Sequence, residues 1–434
     1  MAESTLKSSA LLRMAIVAGL SLFLLIPTLF IESVIKERQQ RRDSSINEIS
    51  QSWGGNQTVT GPIVTIPFKE FSKDDKGNTL TYVRFAHFLP SRLNIRSILK
   101  PEIRYRGIYQ VALYNGRFNI DGSYASFDFA RFNVQPQNVL WSEAFVTLGI
   151  TDLKGVRDTI SLNWNGSSSS STPGVQSNDV VSSGVTFMPK VGSGSTFSIT
   201  IDLNGSSEIA FVPLGELTTI SMESNWGDPS FTGGFLPTTR EITTEGFRAD
   251  WKVLNLNRNF PQAWIGDRYK VHESSFGAKL YLPVDHYQKT TRTVKYALLF
   301  IVLTFASLFL SEMMTKTILH PIQYTLIGFA LVLFYLLLLS MTEHVGFNLA
   351  YGVSALLVVF LVSTYAYWIT LKTRIAFTTL FVLLALYTFL FVTLQIQDYA
   401  LLIGTFGLLV TLGIIMYVTR RIDWFALEKL SQDK

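Results

Sequence analysis

The apolar residues of this chain are gathered into runs about as long as a bilayer is thick, placed at its two ends. The first extends from Met14 to Ile31, and the others crowd between Tyr296 and Val418. A helix rises 1.5 Å per residue, so about 20 continuous apolar residues cross the hydrocarbon core. The later runs predict helices near Val294–Leu310, Ile322–Met341, Leu349–Ile369, Ile375–Leu394 and Tyr399–Val418, making about six spans with the first. Lys7 and Arg13 precede the first run as in a signal peptide. Its length, Pro27 and the lack of a small-residue cleavage pattern before Glu32-Ser33-Val34-Ile35-Lys36 favour an uncleaved anchor.

Short-loop charge gives an orientation. Lys316, Lys372 with Arg374, and Arg420-Arg421 follow alternate helices, whereas Thr342–Asn348 and Gln395–Asp398 carry no Lys or Arg. The positive-inside rule then expects both termini in the cytoplasm and the middle of the chain outside. Lys36, Arg38, Arg41 and Arg42 argue the other way. Flanks of long translocated domains weigh less, so this run reads as a helical stalk near headgroups, with anionic-lipid contact as the alternative. The expected organisation is a cytoplasmic start and anchor (1–35), a stalk (36–55), a β-rich periplasmic domain (56–290), a five-helix membrane domain (291–421) and a cytoplasmic tail (422–434).

A formal charge of +5 over 434 residues, without a dense Lys/Arg stripe, argues against nucleic-acid partners. Absence of cysteine excludes disulfides, thiol catalysis and Cys-ligated zinc, but leaves the compartment open.

Between Gly61 and Pro283 the pattern turns to period two. Leu80–Phe88, Ile108–Tyr114, Phe197–Leu203 and Thr218–Glu223 alternate as half-buried strands do. Asn115-Gly116, Asp121-Gly122, Asn165-Gly166 and Asn204-Gly205 read as turns between them, and Lys73–Asn78 as a charged hairpin tip. About a dozen strands predict an all-β sandwich or two stacked subdomains. Ser167–Thr172, continuing to Gly184, reads as a mobile surface loop and a candidate subdomain boundary.

Several strings carry a family resemblance. They are Trp53-Gly54-Gly55-Asn56-Gln57-Thr58-Val59-Thr60-Gly61-Pro62, Arg106-Gly107-Ile108-Tyr109, and Leu148-Gly149-Ile150-Thr151-Asp152-Leu153-Lys154-Gly155. The block from Ser224-Asn225-Trp226-Gly227-Asp228-Pro229 through Gly233-Gly234-Phe235-Leu236-Pro237 to Gly246-Phe247 and Trp251 is the strongest in the soluble part. His320-Pro321-Ile322-Gln323-Tyr324 and Glu343-His344-Val345-Gly346-Phe347 follow in the membrane part. In order and spacing the chain resembles the CreD family of bacterial inner-membrane, cell-envelope-integrity proteins nearly end to end. The resemblance implies an inner membrane, a periplasmic middle domain and a link to envelope integrity or stress. It implies no reaction.

Candidate chemistry is sparse. The five histidines (His87, His272, His286, His320, His344) show no metal-ligand spacing, and no metal or cofactor is expected. His320 and His344 flank one predicted helix, about 35 Å apart at 1.5 Å per residue. No G-x-S-x-G elbow occurs, and Asp228-Pro229-Ser230 reads as a turn initiator before a Gly-Gly loop. Glu241 with Glu245, or Asp228 with Glu223, cannot be set face to face from sequence alone, so no enzyme is expected. Glu312, His320, Glu343 and His344 are candidate polar residues at membrane boundaries; none lies mid-span, where transporters keep ionisable groups. Glu343-His344 reads either as an acidification sensor or as a helix end with an interfacial His. Trp226, Asp228, Phe231, Phe235, Arg240 and Trp251 form a candidate interaction loop, the alternative being aromatics packed back on the sandwich. These readings favour a non-enzymatic interaction or sensing scaffold for envelope integrity, with the lipid bilayer as partner. Other envelope proteins, peptidoglycan or lipid headgroups are further candidate partners. A transporter or channel for a lipid or envelope-active compound is the alternative.

Overall fold

The computed structural model describes residues 10–420 other than 77, 193, 281, 283–285, 316, 397 and 398. Lys7, Lys316, Asp398, Arg421 and the tail 422–434, on which part of the charge reading rests, lie outside the described residues. The chain forms two compact units: Arg42–Pro283, and Met1–Arg41 together with Val284–Lys434.

The helical unit begins with α1 (Ala10–Phe23) and α2 (Leu25–Trp53), in effect one helix interrupted at Leu24. Pro27 has no N–H to donate to the Phe23 carbonyl, which accounts for the break. α2 stays helical through Lys36–Arg42 and ends in the other unit. After the sheets come α3 (His286–Lys295), α4 (Ala297–Thr315), α5 (Pro321–Val345), α6 (Phe347–Thr370), α7 (Thr373–Gln395) and α8 (Ala400–Thr419). Among the described residues five helices are long and apolar enough to cross a bilayer, including the one near the N-terminus, and Leu402–Tyr417 is a shorter apolar helix. The helices reach a few residues beyond most of the predicted apolar runs, because helix continues into polar ends such as Ser311–Thr315. α3 is an additional helix; its polar sequence hides it from a hydropathy reading.

The bundle centre is filled with aromatic rings. Phe334 packs on Tyr387 at 4.7 Å and on Tyr351 at 5.5 Å, Phe300 packs on Tyr387 at 5.1 Å, and the Tyr351 hydroxyl donates to the Tyr387 carbonyl (2.8 Å). Gly328 on α5 receives the buried Leu24 side chain, a small-residue contact of the kind that lets membrane helices approach closely.

The other unit is all β. Its strands are β1 (Gln57–Lys73), β2 (Thr79–Phe88), β3 (Arg92–Arg106), β4 (Tyr109–Ser123), β5 (Phe145–Ile150) and β6 (Ser161–Trp164). Then come β7 (Ser167–Ser170), β8 (Thr172–Pro173), β9 (Gly184–Phe187), β10 (Thr196–Ser206), β11 (Glu208–Phe211) and β12 (Leu217–Ser224). β13 (Pro229–Gly233), β14 (Thr239–Thr243), β15 (Gly246–Leu254), β16 (Ala263–Ile265) and β17 (Phe276–Leu280) complete the set. One sheet runs β13-β17-β11-β1-β5-β9-β8, with β2 and β16 attached beside β1; the other runs β14-β15-β12-β3-β4-β10-β6-β7. Both contribute to a single core. Rings meet across it, Phe118 with Phe211 at 5.7 Å and Trp251 with Phe276 at 5.8 Å, each buried ring contributing about 2 kcal/mol. Burial alternates along Phe197–Leu203 and Thr218–Glu223 as expected, but not along Leu80–Phe88 or Ile108–Tyr114, which run from an exposed end into a stretch buried on both faces.

Several turn readings are corrected. Asn115-Gly116 and Asp121-Gly122 lie inside β4, and Asn204-Gly205 inside β10, all within paired ladders. Their glycines serve close approach: a Cβ on Gly116 would overlap the Phe118 ring, and one on Gly205 the Tyr114 side chain. Asn165-Gly166 is the turn expected, both residues at positive φ (50° and 82°) between β6 and β7. Ser167–Thr172 is not a mobile loop. Ser167–Ser170 is the edge strand of one sheet and Thr172–Pro173 starts pairing in the other, so the segment crosses between two layers of one sandwich. Exposed serines pack nothing, which hid the strand; its ladder is held by backbone bonds. Pro229 opens a strand rather than a turn.

Candidate functional site

The aromatic block of the sandwich faces inward. On β15, Phe247, Ala249 and Trp251 alternate with Arg248, Asp250 and Lys252, and the first set is buried. Phe231 meets Phe247 and Trp251 edge-on at 5.8 and 5.6 Å, and Phe235 meets Phe276 at 5.5 Å. Trp226 Nε1 donates to the Asp228 carbonyl (3.1 Å), and Trp251 Nε1 to the Phe235 carbonyl (3.2 Å). Gly233 sits at φ 92° so close to the Ser275 carbonyl that a side chain there would collide. Asp228 and Arg240 are exposed, as is Leu236. Of the six residues, the four aromatics therefore belong wholly or partly to the packing.

The polar residues assigned to helix ends separate into two groups. At one end, Glu312 near the close of α4 and His320 at the start of α5 line the same cavity of about 350 Å³, with Arg13 of α1 and Tyr324 of α5. His320 caps α5: the Ile322 N–H donates to its Nδ1 (3.3 Å), and its own N–H reaches Gln323 Oε1 (2.9 Å), with Pro321 at the first helical position. Glu312 is 4% exposed and accepts the Leu319 N–H (2.5 Å). Tyr324 is 2% exposed, and its hydroxyl, beside Glu312, makes no hydrogen bond of good geometry among the described residues; nor does Arg13 Nε. Lys372 Nζ donates to the Thr315 carbonyl (2.5 Å), bringing the α6–α7 connection to this end. In the sequence Arg13 reads only as a basic flank of the first apolar run and Tyr324 only as part of a family-like string, so neither is marked there as a site residue.

At the other end Glu343 takes the Tyr287 hydroxyl (2.9 Å) and Arg38 (3.6 Å). Neighbours on a helix point about 100° apart, so His344, which is exposed, does not share these partners. Glu343 and His344 therefore do not act as one pair.

Inside the sandwich lies a buried polar chain that sequence reading missed. His87, 1% exposed, has Nδ1 at 3.0 Å from Thr65 Oγ1 and Nε2 at 3.0 Å from Asp179 Oδ2. Burial holds the imidazole below its ordinary pKa against the opposing pull of Asp179, so the neutral ring donates from Nε2 and accepts at Nδ1. Thr65 is itself buried and lies in the β1–β2 ladder, so this order of groups locks two strands to the 179 loop. Glu223, Glu241 and Glu245 do come together, along a shallow surface depression of about 640 Å³ with Arg248, whose guanidinium pairs with Glu223 at 3.3 Å. No group of three or more acidic or histidine side chains among the described residues is arranged to hold a metal ion.

A second feature of the helical unit is a cleft of about 1300 Å³ between α4, α7 and α8, lined by Leu303, Leu310, Phe381, Phe389, Phe406 and other residues, none of them charged.

Apolar spanning helices and a large β-sandwich inserted after the first of them define an integral membrane protein with one extramembrane domain. The chain belongs to the CreD family: the family model described as "Inner membrane protein CreD" matches residues 9–425. Inner membrane protein CreD of Escherichia coli (strain K12) is 32% identical over 431 residues, covering 97% of this chain and 95% of that protein. This is an inner-membrane protein.

Proposed function

We propose that the protein is a non-enzymatic scaffold supporting cell-envelope integrity, with its sandwich facing the periplasm and offering an arm to other envelope components. The observation that carries this reading is the far half of the β1–β2 hairpin. Beyond Phe68, β1 and β2 pair only with each other among the described residues, from Lys69–Val83 to Lys73–Thr79. Phe71 and Val83 are exposed on one face of this ribbon, Leu80 and Tyr82 on the other. A two-stranded ribbon wet on both faces is marginally stable, and large apolar side chains kept there suit a partner that covers them. The β3–β4 hairpin repeats the pattern with Ile103, Tyr105 and Ile108. The periplasmic orientation is supported by the placement of Arg13 and Lys372 at one end of the bundle.

The test is a photoreactive residue at position 82 in living cells, with position 241 as control. A defined adduct to an envelope protein, peptidoglycan or lipid is expected from Tyr82 and not from Glu241. Identical diffuse labelling from both would overturn the scaffold reading. The transport reading draws support from the uncharged α4–α7–α8 cleft, which suits apolar chains, against an aromatic-filled bundle centre.

A further inference from the structure

The cavity between α1, α4 and α5 holds a cation and an anion that do not pair with each other. Arg13 and Glu312 line the same space of about 350 Å³, yet form no ion pair. Arg13 Nε is buried without a hydrogen-bond partner among the described residues, and the Tyr324 hydroxyl lies against the Glu312 carboxylate. A buried donor left unmade costs about 1–3 kcal/mol, and membrane-embedded charge is costlier still. Arg13, with no hydrogen bond or ion pair among the described residues, therefore brings an uncompensated cation to this cavity beside the Glu312 carboxylate. Glu312 keeps acceptor capacity beyond its bond from Leu319 and its contact with the Tyr324 hydroxyl, since a carboxylate has about four lone-pair sites. His320 accepts at Nδ1, which leaves Nε2–H as a donor at the rim. Ile16, Val17, Phe309 and Ile318 supply apolar wall.

We propose that this cavity binds a zwitterionic ammonium–phosphate headgroup, the phosphoethanolamine end of a glycerophospholipid. Phosphate oxygens accept from the Arg13 guanidinium, the Tyr324 hydroxyl and His320 Nε2. The ammonium donates to Glu312, and the glycerol and first methylenes lie on the apolar wall. A purely anionic headgroup meets repulsion from Glu312 in a low-dielectric site, so the pair of opposite charges selects for a ligand carrying both. The site is independent of the scaffold reading and of the hairpin arm.

The test is native mass spectrometry of the full chain in detergent, titrated with phosphatidylethanolamine, phosphatidylglycerol or soluble glycerophosphoethanolamine. The wild type is expected to prefer phosphatidylethanolamine. Arg13→Gln weakens both lipids about tenfold, the loss of one charge-assisted hydrogen bond, and Arg13→Lys restores part of it. Glu312→Gln weakens phosphatidylethanolamine about tenfold and leaves phosphatidylglycerol unchanged or improved, so that the preference disappears. Should Glu312→Gln fail to fold, Tyr324→Phe removes one hydroxyl from the cavity wall and is expected to weaken both lipids with little change in melting temperature. Displacement by the soluble compound identifies a free headgroup as sufficient; persistence of the lipid identifies a bilayer source, and either upholds the ammonium–phosphate chemistry. Equal affinity for the two lipids in the wild type, or unchanged binding in Arg13→Gln and Tyr324→Phe, overturns it.

Discussion

The β unit and the helical unit treat buried charge differently. In the sandwich Arg258, 7% exposed, donates to the carbonyls of Leu214 and Phe260 and to the Gln262 side chain, and its guanidinium lies over the Phe260 ring at 4.1 Å. Desolvation lowers its pKa to about 10, and these acceptors keep the buried cation tolerable. His87 is held from both ring nitrogens. In the helical unit Arg13 lines a cavity and makes no hydrogen bond or ion pair among the described residues. Arg258 also leaves its Nε without a partner, so a single unmade bond does not set the two apart. The difference is that the terminal nitrogens of Arg258 are taken up by acceptors inside the chain, whereas those of Arg13 find none among the described residues.

The strongest way to break that comparison is Arg258→Leu. If Arg258 is architectural, the variant leaves three acceptors dry and costs about 3 kcal/mol, read as a lower melting temperature of the sandwich. Arg258→Lys recovers little, because an ammonium cannot reach the same carbonyls as a planar fork. A loss below about 1 kcal/mol would remove the contrast with Arg13.

The next effect is smaller and depends on pH. The folded-state pKa of His87 lies below its unfolded value near 6.5, so the unfolded chain binds more protons as pH falls through that value. The contribution is therefore fully present above about pH 6.5 and is lost as the pH falls toward the folded pKa. His272, also lowered by burial, acts in the same direction, so the single variant His87→Phe isolates the first. We expect His87→Phe to cost about 2 kcal/mol at pH 8, with two partners left unmade, and the gap to the wild type to narrow by pH 5. A gap constant with pH would mean that the ring is not kept neutral by its burial.

What was legible in the sequence follows the same division. Period two marked β10 and β12 because half-buried strands must alternate. It also held the answer for the aromatic block: Phe247, Ala249 and Trp251 share a phase opposite Arg248, Asp250 and Lys252, which puts the aromatics inside. Asn-Gly dipeptides misled where glycine serves close approach, since composition does not distinguish a turn from a crowded ladder. Two of the family-like strings turn out to meet. Gln57 Nε2 donates to the carbonyls of Asp152 (2.9 Å) and Asn204 (3.1 Å), the Gly55 N–H donates to Asp152 Oδ2 (3.0 Å), and Gly155 leaves room for the Asn204 carbonyl. That knot was unreadable because its members are separated along the chain and joined through backbone atoms. The Arg13–Glu312 cavity was hidden for the same reason: one residue precedes the sandwich and the other follows it.

The smallest expected effect sharpens the contrast within the helical unit itself. Arg38 and Glu343 approach at 3.6 Å, but Arg38 is nearly half exposed and Glu343 retains the Tyr287 hydroxyl. Such a pair, at the edge of water and screened by salt, contributes at most about 1 kcal/mol. Arg38→Gln is therefore expected to lower the melting temperature only slightly, and less at high salt than at low. Tyr287→Phe, which removes the better-shielded bond, is expected to cost about as much, with no salt dependence. If Arg38→Gln instead proved as damaging as Arg258→Leu, this end of the bundle would be held by charge. The division between paired groups that build the fold and unpaired groups that await a ligand would then need a third kind: pairs that hold a membrane helix in place.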